Sequence, residues 1–542
     1  MCGITGIIDL RERRPIDRAT LHRMNEAQHH RGPDEGGLHL SPGVGLGHRR
    51  LSIIDLATGQ QPLYNEDGTV VVVFNGEIYN YQSLIPELEA LGHRFHTRSD
   101  TEVIVHGWEA WGEGCVQRFR GMFAFALWDE NRQKLFMARD RLGVKPMYYA
   151  LLPDGHLIFG SELKSLIAHG ALERRIDPHA VEDYFALGYV PEPRTIFSTA
   201  LKLPPGTTLV LQRGNVTGGL PAPRVYWDPR FTGDSSIGAE DAQAELLSRI
   251  RESVKLRMIA EVPLGAFLSG GVDSSAVVAA MAGLSAEPVN TCSISFADPA
   301  FDESRYARMV AERYRTRHFV DQVESDDFDL IDTLARLYDE PYADSSALPT
   351  YRVCQLARRH VTVALSGDGG DESLAGYRRY KLHMMEEQLR QSLPLGFRRP
   401  VFGLLGSVYP KADWAPRILR GKTTFQALAR NSIEAYFHSM SILKEDLRSR
   451  LYSSRFKAEL GGYNAFEVFR RHAANAGTND PLSQIQYIDL KTYLVGDINT
   501  KVDRASMAHA LEVREPLMDH PLVEWLATLP SSLKLRGGAS NR

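Results

Sequence analysis

The stretch Ser269-Gly270-Gly271-Val272-Asp273-Ser274-Ser275 decides the fold of the second half of the chain. It follows a short apolar run at 263–268 and opens an apolar segment at 276–284 with the character of a helix. Glycines let a backbone approach an anion closely, and a helix N-terminus presents free N–H groups and a positive dipole end. The order of strand, loop and helix therefore predicts a phosphate-binding loop, with Asp273 holding Mg²⁺ against the phosphates. The plainer alternative is a Gly-rich turn with a serine cap.

A second polar cluster, Ser366-Gly367-Asp368-Gly369-Gly370-Asp371-Glu372, follows the apolar run at 361–365. Loops at the C-terminal ends of parallel strands meet at one crevice, so we expect both loops to face the same nucleotide. Asp371 is then a second candidate ligand for Mg²⁺. Asp368 is a candidate for acting on the reacting carboxylate or the incoming amine. A solvated acidic turn is the alternative.

Strands and helices alternate from about residue 240 onward, with strand candidates at 263–268, 290–296 and 361–365. Such alternation predicts an α/β domain with a parallel sheet and crossover helices. Residues 380–542 have a mostly helical pattern.

The first part of the chain has a different pattern. Short β-rich runs such as 69–74 and 134–138 are separated by Gly, Asn and Asp turns, and helical periodicity is confined to 81–92 and 101–111. This mixture predicts an α+β sandwich of two facing sheets with helices outside. A Gly-, Pro- and Ser-rich stretch then marks a linker. The predicted organisation is a domain over 2–211, a linker over 212–239 and a domain over 240–542.

Cys2 is the candidate nucleophile of the first domain. If Met1 is removed, Cys2 carries a thiol and a free α-amine on one residue. The thiolate is the nucleophilic form, and an α-amine with a pKa near ~8 can serve as its base. No catalytic histidine is then needed, so His29, His30 and His48 are not assigned that role. The alternative is a small apolar residue near a terminus.

Composition narrows the class of protein. A chain of 542 residues needs two or more cores, and 43% hydrophobic with 24% charged residues is typical of globular domains. A net charge of -4 gives no basic footprint for nucleic acid. Four scattered cysteines without a CxxC pair predict neither a disulfide framework nor a zinc site. No signal peptide and no membrane span are recognisable, which predicts a cytoplasmic protein without membrane partners.

Taken together, Cys2 and the two loops give the chain a resemblance to glutamine-hydrolysing asparagine synthetases, from Cys2 to about residue 535. The first half resembles a class II glutamine amidotransferase domain of the N-terminal-nucleophile fold, and the second an ATP-pyrophosphatase-type synthetase domain. Seven motifs outside the two loops carry the resemblance: MCGI (1–4), RGPD (31–34), HRRLSIID (48–55), FNGEIYN (74–80), SDTE (99–102), DEPYADSSALPTY (339–351) and KVDRASMAHALEVREPLMD (501–519).

For the first domain, the resemblance implies release of ammonia from glutamine by attack of Cys2 on its amide. The implied oxyanion hole is the Asn75 side chain with the Gly76 N–H, where preorganised donors contribute about 3–4 kcal/mol each. Arg50 would pair with the glutamine carboxylate, for which its planar fork is suited. The remaining implied glutamine-binding residues are Ile53, Glu77 and Asp100, the last two on the α-amino group.

For the second domain, the resemblance implies that ATP adenylates a carboxylate, and that ammonia arriving through an internal tunnel displaces AMP. Asp368 would act in catalysis, and Mg²⁺ would be held by Asp273 and Asp371. The implied ATP-contacting residues are Leu268, Ser269, Gly270, Gly271, Asp273, Ser274, Ile294, Ser366 and Gly367. The other implied partners are small-molecule substrates and, as a suggestion, a second copy of the chain in a homodimer.

The chain departs from the family pattern in two places. Asp368 stands where well-studied members often carry Glu, which preserves the carboxylate. The family normally continues past the LKLRGGASNR ending (533–542) with an RxKxxF-type segment whose lysine stabilises charge during adenylation, so we expect that segment to be lacking. Lys534 lies too close to the preceding helix to be assigned as its replacement.

Three functions therefore stay open. The first is synthesis of asparagine from aspartate. The second is amidation of another carboxylate, such as a sugar acid of a surface polysaccharide or a peptide; the stretch 174–197 also resembles amidotransferases found beside exosortase and polysaccharide genes. The third is a glutaminase without synthetase activity. Acceptor identity, oligomeric state and pathway are not predicted.

Overall fold

A computed structural model describes residues 2–215, 219–298, 302–323, 330–410, 421–536 and 539–540. The strands of the first part, in chain order, are β1 (Gly3–Asp9), β2 (Glu35–Ser41), β3 (Val44–Arg50), β4 (Leu63–Tyr64), β5 (Val70–Ile78), β6 (Gly121–Asp129), β7 (Lys134–Arg139), β8 (Tyr148–Leu151), β9 (His156–Gly160), β10 (Leu201–Lys202), β11 (Thr207–Gln212) and β12 (Arg224–Val225). Its helices are α1 (Arg18–Glu26), α2 (Tyr81–Ala90), α3 (Glu102–Trp111), α4 (Cys115–Arg118), α5 (Leu163–Ala168) and α6 (Pro178–Leu187).

These strands form two antiparallel sheets, in the orders β10-β8-β9-β1-β3-β2 and β12-β11-β7-β6-β5-β4. Ile4 and Leu46 of one sheet share a buried cluster with Val73 and Ala126 of the other, so the two sheets face each other across a common core. The predicted α+β sandwich is confirmed. The β-rich runs at 69–74 and 134–138 belong to β5 and β7, and the two helical runs correspond to α2 and α3.

The sandwich fixes where Cys2 lies. Cys2 immediately precedes β1, a central strand paired with β3 and β9. Strand β5 of the other sheet carries Asn75, Gly76 and Glu77. Gly76 has a positive φ of 153°, and a Cβ on it would lie 2.1 Å from the Met122 carbonyl oxygen, so this position requires glycine.

The second part is built on five parallel strands in the order β15-β14-β13-β16-β17, followed by a short antiparallel pair of strands. The strands are β13 (Leu264–Phe267), β14 (Asn290–Phe296), β15 (Arg317–Val323), β16 (Val363–Leu365), β17 (Glu512–Arg514), β18 (Leu535–Arg536) and β19 (Ala539–Ser540). The helices are α7 (Ala239–Arg257), α8 (Val272–Ala282), α9 (Ser304–Tyr314), α10 (Ile331–Tyr338), α11 (Ala347–Arg358), α12 (Gly370–Leu374), α13 (Arg378–Ser392), α14 (Leu395–Val408), α15 (Lys422–Leu428), α16 (Ser432–Met440), α17 (Glu445–Leu451), α18 (Ser454–Leu460), α19 (Phe466–Asn475), α20 (Pro481–Lys491), α21 (Thr500–Met507), α22 (His520–Thr528) and α23 (Ser531–Lys534).

The predicted parallel sheet and helical C-terminal part are confirmed, and the three strand candidates are β13, β14 and β16. Two strands of this parallel sheet were not predicted. β15 is a polar edge strand, and β17 has the sequence Glu-Val-Arg, whose charged residues are buried only because they are paired. A local pattern of apolar residues finds neither strand.

The predicted domain limits and the predicted loss of a C-terminal segment both stay predictions. β12 lies inside the predicted linker and pairs with β11, and the domain limits stay predictions. The predicted loss of the family's C-terminal segment concerns an ending of which residues 537–538 and 541–542 lie outside the described residues. Within the described ranges, none of the helices has both the length and the hydropathy that crossing a bilayer requires.

Two candidate active sites joined by buried ion pairs

Cys2 is 8% exposed at the edge of the sandwich, and its backbone N–H donates to Asn75 Oδ1 at 3.0 Å. Burial raises the pKa of the Cys2 thiol, while the Leu51 N–H and the Arg50 guanidinium act in the opposite direction. The thiol therefore needs a base to become a thiolate. Met1, whose removal would expose that base as an α-amine, lies outside the described residues.

The side-chain amide of Asn75 has its oxygen in a hydrogen bond and its nitrogen free to donate one. Its Oδ1 accepts from Cys2, whereas its wholly buried Nδ2 has no hydrogen-bond partner within the described part of the chain. A buried donor without a partner is costly, typically by about 1–3 kcal/mol. An oxyanion formed at Cys2 would satisfy it, which is the arrangement that the predicted oxyanion hole requires.

One small cavity brings together most of the residues that the sequence assigned to glutamine. Of the seven residues assigned to Cys2 chemistry and glutamine binding, Asn75 alone is missing from the cavity lining, and the described residues that line it are Cys2, Arg50, Leu51, Ile53, Ile54, Gly59, Gln61, Phe74, Gly76, Glu77, Ser99, Asp100 and Thr101. The Arg50 guanidinium is fixed by Glu35 Oε2 at 3.0 Å and by the Asp55 carbonyl oxygen at 2.7 Å.

Glu77 and Asp100 are two buried carboxyl groups whose negative charges would repel each other. Burial, reinforced by Glu512 and Asp100, raises the pKa of Glu77 well above its ordinary value. Burial also raises the pKa of Asp100 to about 6, although its Oδ2 accepts from the Ile78 N–H at 2.7 Å. A ligand ammonium group would favour the ionised pair, so the pair suits the α-amino group of an amino acid.

The second half of the chain contacts a residue of the cavity wall, Glu77, through β17. Arg514 Nη2 lies 3.3 Å from Glu77 Oε1, and Arg514 Nε donates to Glu512 Oε1 at 2.6 Å. The Arg514 carbonyl oxygen accepts from the Ser366 N–H at 2.9 Å. One residue therefore contacts the glutamine cavity with its side chain and the second polar loop with its backbone.

Arg31 of the RGPD motif makes a second connection between the halves. Its side chain is wholly buried, and Nε donates to the Cys2 carbonyl oxygen at 3.0 Å. Nη1 and Nη2 form a bidentate pair with Asp503 of α21 at 2.7 and 2.8 Å, and Nη1 also reaches Glu162 at 2.8 Å. Arg504 Nη1 lies 3.1 Å from the same Glu162 oxygen. The backbone of Cys2 is therefore anchored to a helix of the second half.

The SGGVDSS loop connects β13 to α8 in the predicted way. Ser269 Oγ and Ser274 Oγ lie 3.0 Å apart, and the Gly271 N–H donates to Ser269 Oγ at 3.2 Å. Gly270 has a φ of +82°, and a Cβ there would come within 2.5 Å of the Ala307 nitrogen. The tight glycine turn leaves the first turn of α8 facing a cavity, as an anion site requires.

The second polar loop packs directly onto the first. A Cβ on Gly367 would lie 2.6 Å from the Ser274 nitrogen, and one on Gly370 would lie 3.1 Å from Asp273 Oδ1. Asp273 therefore reaches the segment that holds Asp371. The two carboxylates, hard oxygen ligands at the edge of an anion site, fit a Mg²⁺ ion. Ser366 Oγ donates to Asp368 Oδ2.

Both loops line one cavity of about 610 Å³, within the range typical of small-molecule sites. Among the residues assigned to ATP, metal or synthetase catalysis, Gly270 alone does not line it; those that do are Leu268, Ser269, Gly271, Asp273, Ser274, Ile294, Ser366, Gly367, Asp368 and Asp371.

Sequence reasoning did not single out Lys501, which also lines this cavity. Its Nζ donates to Asp344 Oδ2 and to Ser346 Oγ, both at 2.7 Å. Burial disfavours the charge, but the facing carboxylates of Asp344 and Asp497 outweigh it and raise the pKa of Lys501. Lys501 is the first residue of the motif 501–519, and its place in that motif is the sequence feature that could have identified it. Lys534 is buried against Gln486 and is not part of the cavity lining.

His48 and His30, to which the sequence assigned no catalytic role, both lie outside the glutamine cavity. His48 is wholly buried with Nε2 at 3.1 Å from the Phe74 carbonyl oxygen, and burial lowers its pKa to about 3. His30 Nε2 lies 3.1 Å from Glu162 Oε1, within the ion pairs around Arg31. Neither lines the glutamine cavity.

Comparison with known proteins matches both halves. A "Glutamine amidotransferase domain" family matches residues 1–227, and an "Asparagine synthase" family matches residues 245–541. Fold and sites together define an ATP-dependent carbon–nitrogen ligase that takes nitrogen from glutamine.

Two relatives of the chain are named as glutamine-hydrolysing synthetases, and a third is named an amidase. Glutamine-hydrolyzing asparagine synthetase 1 of Bacillus subtilis is 33% identical over 100% of this chain and 83% of its own length. Asparagine synthetase 3 of the same organism is 30% identical over 99% of this chain and 82% of its own length. Amidase chyE of Penicillium rubens is 27% identical over 99% of this chain and 83% of its own length. The chain belongs to the glutamine-hydrolysing asparagine synthetase family.

The buried pair of Glu77 and Asp100 predicts that kcat/KM for glutamine falls at acidic pH. Because the pKa of Asp100 is raised to about 6, it loses its charge below that pH and no longer pairs with an ammonium group. We expect kcat/KM for glutamine to fall by up to roughly tenfold per pH unit below that point, with an apparent pKa that belongs to the pair.

The measurement is glutamate release against pH. Asp100→Asn should weaken glutamine binding at neutral pH, and its kcat/KM for glutamine should no longer fall at acidic pH. Asp154→Asn, at an exposed turn, is the control and should show the same fall as the parent. If kcat/KM of Asp100→Asn fell at acidic pH as it does in the parent, the assignment of Asp100 to glutamine binding would be contradicted.

Proposed function

We propose that this enzyme hydrolyses glutamine at Cys2 and uses the ammonia to amidate an ATP-activated carboxylate. The favoured acceptor is aspartate, which gives asparagine, AMP, pyrophosphate and glutamate. The observation that carries the proposal is the shared β17. Arg514 contacts Glu77 in one cavity and Ser366 at the other, so the two half-reactions have a common structural element.

In the first half-reaction, Cys2 Sγ attacks the amide carbon of glutamine while the α-amine of Cys2 accepts the thiol proton. Negative charge develops on the amide oxygen, where the free Asn75 Nδ2 and the Gly76 N–H stabilise it. Collapse of this adduct breaks the C–N bond, and the stored proton leaves with the nitrogen as ammonia. Water then hydrolyses the thioester to glutamate and restores the thiol.

In the second half-reaction, the loop from Ser269 to Ser274 and the start of α8 bind the phosphates of ATP. Asp273 and Asp371 would hold Mg²⁺, which supplies positive charge against the phosphates when bound. A carboxylate oxygen of the acceptor attacks the α-phosphorus and pyrophosphate leaves. Ammonia then attacks the acyl carbon and AMP leaves. Lys501, which lines the same cavity, would place a positive charge beside the reacting groups.

The path of ammonia and the cellular location belong to the same proposal. Ammonia would cross the interface between the halves, out of contact with bulk water, in which it would be protonated. Cys2, Cys115, Cys292 and Cys354 are all buried free thiols. Free thiols suit a reducing compartment, which favours the cytoplasm.

Acceptor identity is tested by AMP and pyrophosphate release with glutamine, ATP and a panel of carboxylates. Aspartate should give the highest kcat/KM and stoichiometric asparagine. The panel includes a uronic acid and a peptide with a free carboxylate, because the relative named amidase chyE shows that names in this family are not uniform. Higher turnover with one of those acceptors would transfer the assignment to it. AMP release with none of them, alongside active glutamine hydrolysis, would leave a glutaminase.

Cys2→Ala separates the half-reactions. Loss of the nucleophile should lower glutamine hydrolysis by at least about 10³-fold, while synthesis from added ammonium continues at the second cavity. Cys115→Ala, which removes another buried thiol, should leave glutamine hydrolysis within a few-fold of the parent. Retained hydrolysis in Cys2→Ala would reject the nucleophile, and intact-mass analysis of the parent should show that Met1 has been removed.

A further inference from the structure

A group of two histidines and two glutamates of the first domain lines neither of the two cavities. Glu66 follows β4, His93 follows α2, and His106 and Glu109 lie on α3. One ligand atom from each residue lies within 4.8 Å of those of the other three. None of these residues has a part in the glutamine or ATP chemistry proposed above.

His106 is the observation that points to a ligand. Its side chain is wholly buried, and its Nε2 lies 3.3 Å from Glu102 Oε1. Burial opposes the charge of His106, but Glu102 and Glu109 outweigh it and raise the pKa of this imidazole to about 9, so both nitrogens carry a proton near neutral pH. When the Nδ1 proton is lost to a bound cation, Nδ1 presents a lone pair to the group. Within the described residues, that Nδ1 has no hydrogen-bond partner, and neither does the buried Glu109 Oε2. These two atoms lie 3.7 Å apart, within ion-pair distance but too far for a hydrogen bond. Buried polar atoms without a hydrogen bond are costly unless something lies between them.

Several separations between the ligand atoms are close to those around a tetrahedral ion, and all are within 4.8 Å. Metal–ligand bonds of about 2.0–2.2 Å place neighbouring tetrahedral ligands roughly 3.3–3.6 Å apart. His106 Nδ1 lies 3.4 Å from Glu66 Oε2 and 3.7 Å from Glu109 Oε2. His93 Nδ1 lies 3.4 Å from Glu66 Oε1 and 3.8 Å from Glu109 Oε2. These separations are long for hydrogen bonds but suit shared coordination.

The surroundings orient the ligands as the second shell of a metal site does. A buried carboxylate on the non-ligating nitrogen of His106 fixes its tautomer. Glu66 Oε1 accepts from the Arg94 N–H at 2.9 Å, and Glu109 Oε1 accepts from Asn65 Nδ2 at 2.8 Å. Each glutamate therefore has one oxygen fixed by the protein. Glu66 and Glu109 are about 30% exposed, which provides an entry path.

We infer that Glu66, His93, His106 and Glu109 form a structural zinc site. Two imidazoles and two carboxylates match the ligand preference of Zn²⁺ and balance its charge. The ion would join the β4–β5 turn, the segment after α2 and the helix α3. It uses no cysteine, which is why cysteine spacing gave no sign of it. α3 begins two residues after Asp100, so the ion would also stabilise the segment that holds one wall of the glutamine cavity.

The test is zinc content of the full-length protein after saturation with Zn²⁺ and gel filtration. We expect about one zinc ion per chain, and a drop of at least about fivefold in the double variant Glu66→Gln, His93→Gln. His22→Gln, an exposed histidine on α1, is the matched control and should retain zinc. Substitution with Co²⁺ should give the intense visible bands of a tetrahedral site in the parent and lose them in the double variant.

Folding is monitored independently of metal content. Both substituted residues lie near the surface, so the double variant should keep glutamine hydrolysis. A chelator should lower the Tm of the parent by a few degrees while leaving that of the variant unchanged. Equal zinc in parent and double variant would overturn the site. So would absence of zinc from a folded, saturated parent, which would leave the four residues as an ion-pair cluster.

Discussion

The buried guanidinium of Arg31 is the interaction on which the rest of the structure depends. It binds the carbonyl oxygen of Cys2, the carboxylate of Glu162 and, in bidentate fashion, Asp503 of the other half. A charge this deeply buried is tolerated only when it is fully paired, and removal of one partner typically costs about 3–5 kcal/mol. Cys2, the proposed nucleophile, is therefore positioned by a contact that exists only when the two halves are packed together.

Two elements of the second half extend this coupling to chemistry. Helix α21 carries Lys501 in the ATP cavity and, two residues later, Asp503 on Arg31. β17 carries Arg514 between the glutamine cavity and the second polar loop. A change in either cavity that shifts α21 or β17 by a fraction of an ångström would be felt in the other, because packed interiors transmit displacement rather than absorb it. This arrangement suits an enzyme that should release ammonia only when an acceptor is ready.

The sequence predicted what local patterns encode. Residue types and their spacing were enough to assign the turn-and-helix chemistry of 269–275 and the strand runs of β5 and β14, and family motifs identified the residues around Cys2. Relations between distant residues could not be assigned. Arg31 and Asp503 are separated by 472 positions. The charged residues of β17 are buried because they pair with each other and because Arg514 also lies beside Glu77 of the other half.

The same limit explains the other omissions. Lys501 could be placed within a motif but not in a cavity, since that depends on the packing of α21 against the sheet. The four residues of the inferred zinc site come from three separate segments, and their spacing along the chain matches no common metal motif. In each case a long-range contact, rather than a local preference, determines the role.

The coupling claim is tested most directly by the ratio of glutamate formed to AMP formed in Asp503→Asn. This isosteric change removes one charge from Arg31 and leaves Glu162 in place. The account predicts glutamine hydrolysis lowered by at least about tenfold, through displacement of Cys2, and a glutamate-to-AMP ratio above that of the parent. Parent-like hydrolysis together with a parent-like ratio, in a variant with an unchanged Tm, would contradict it.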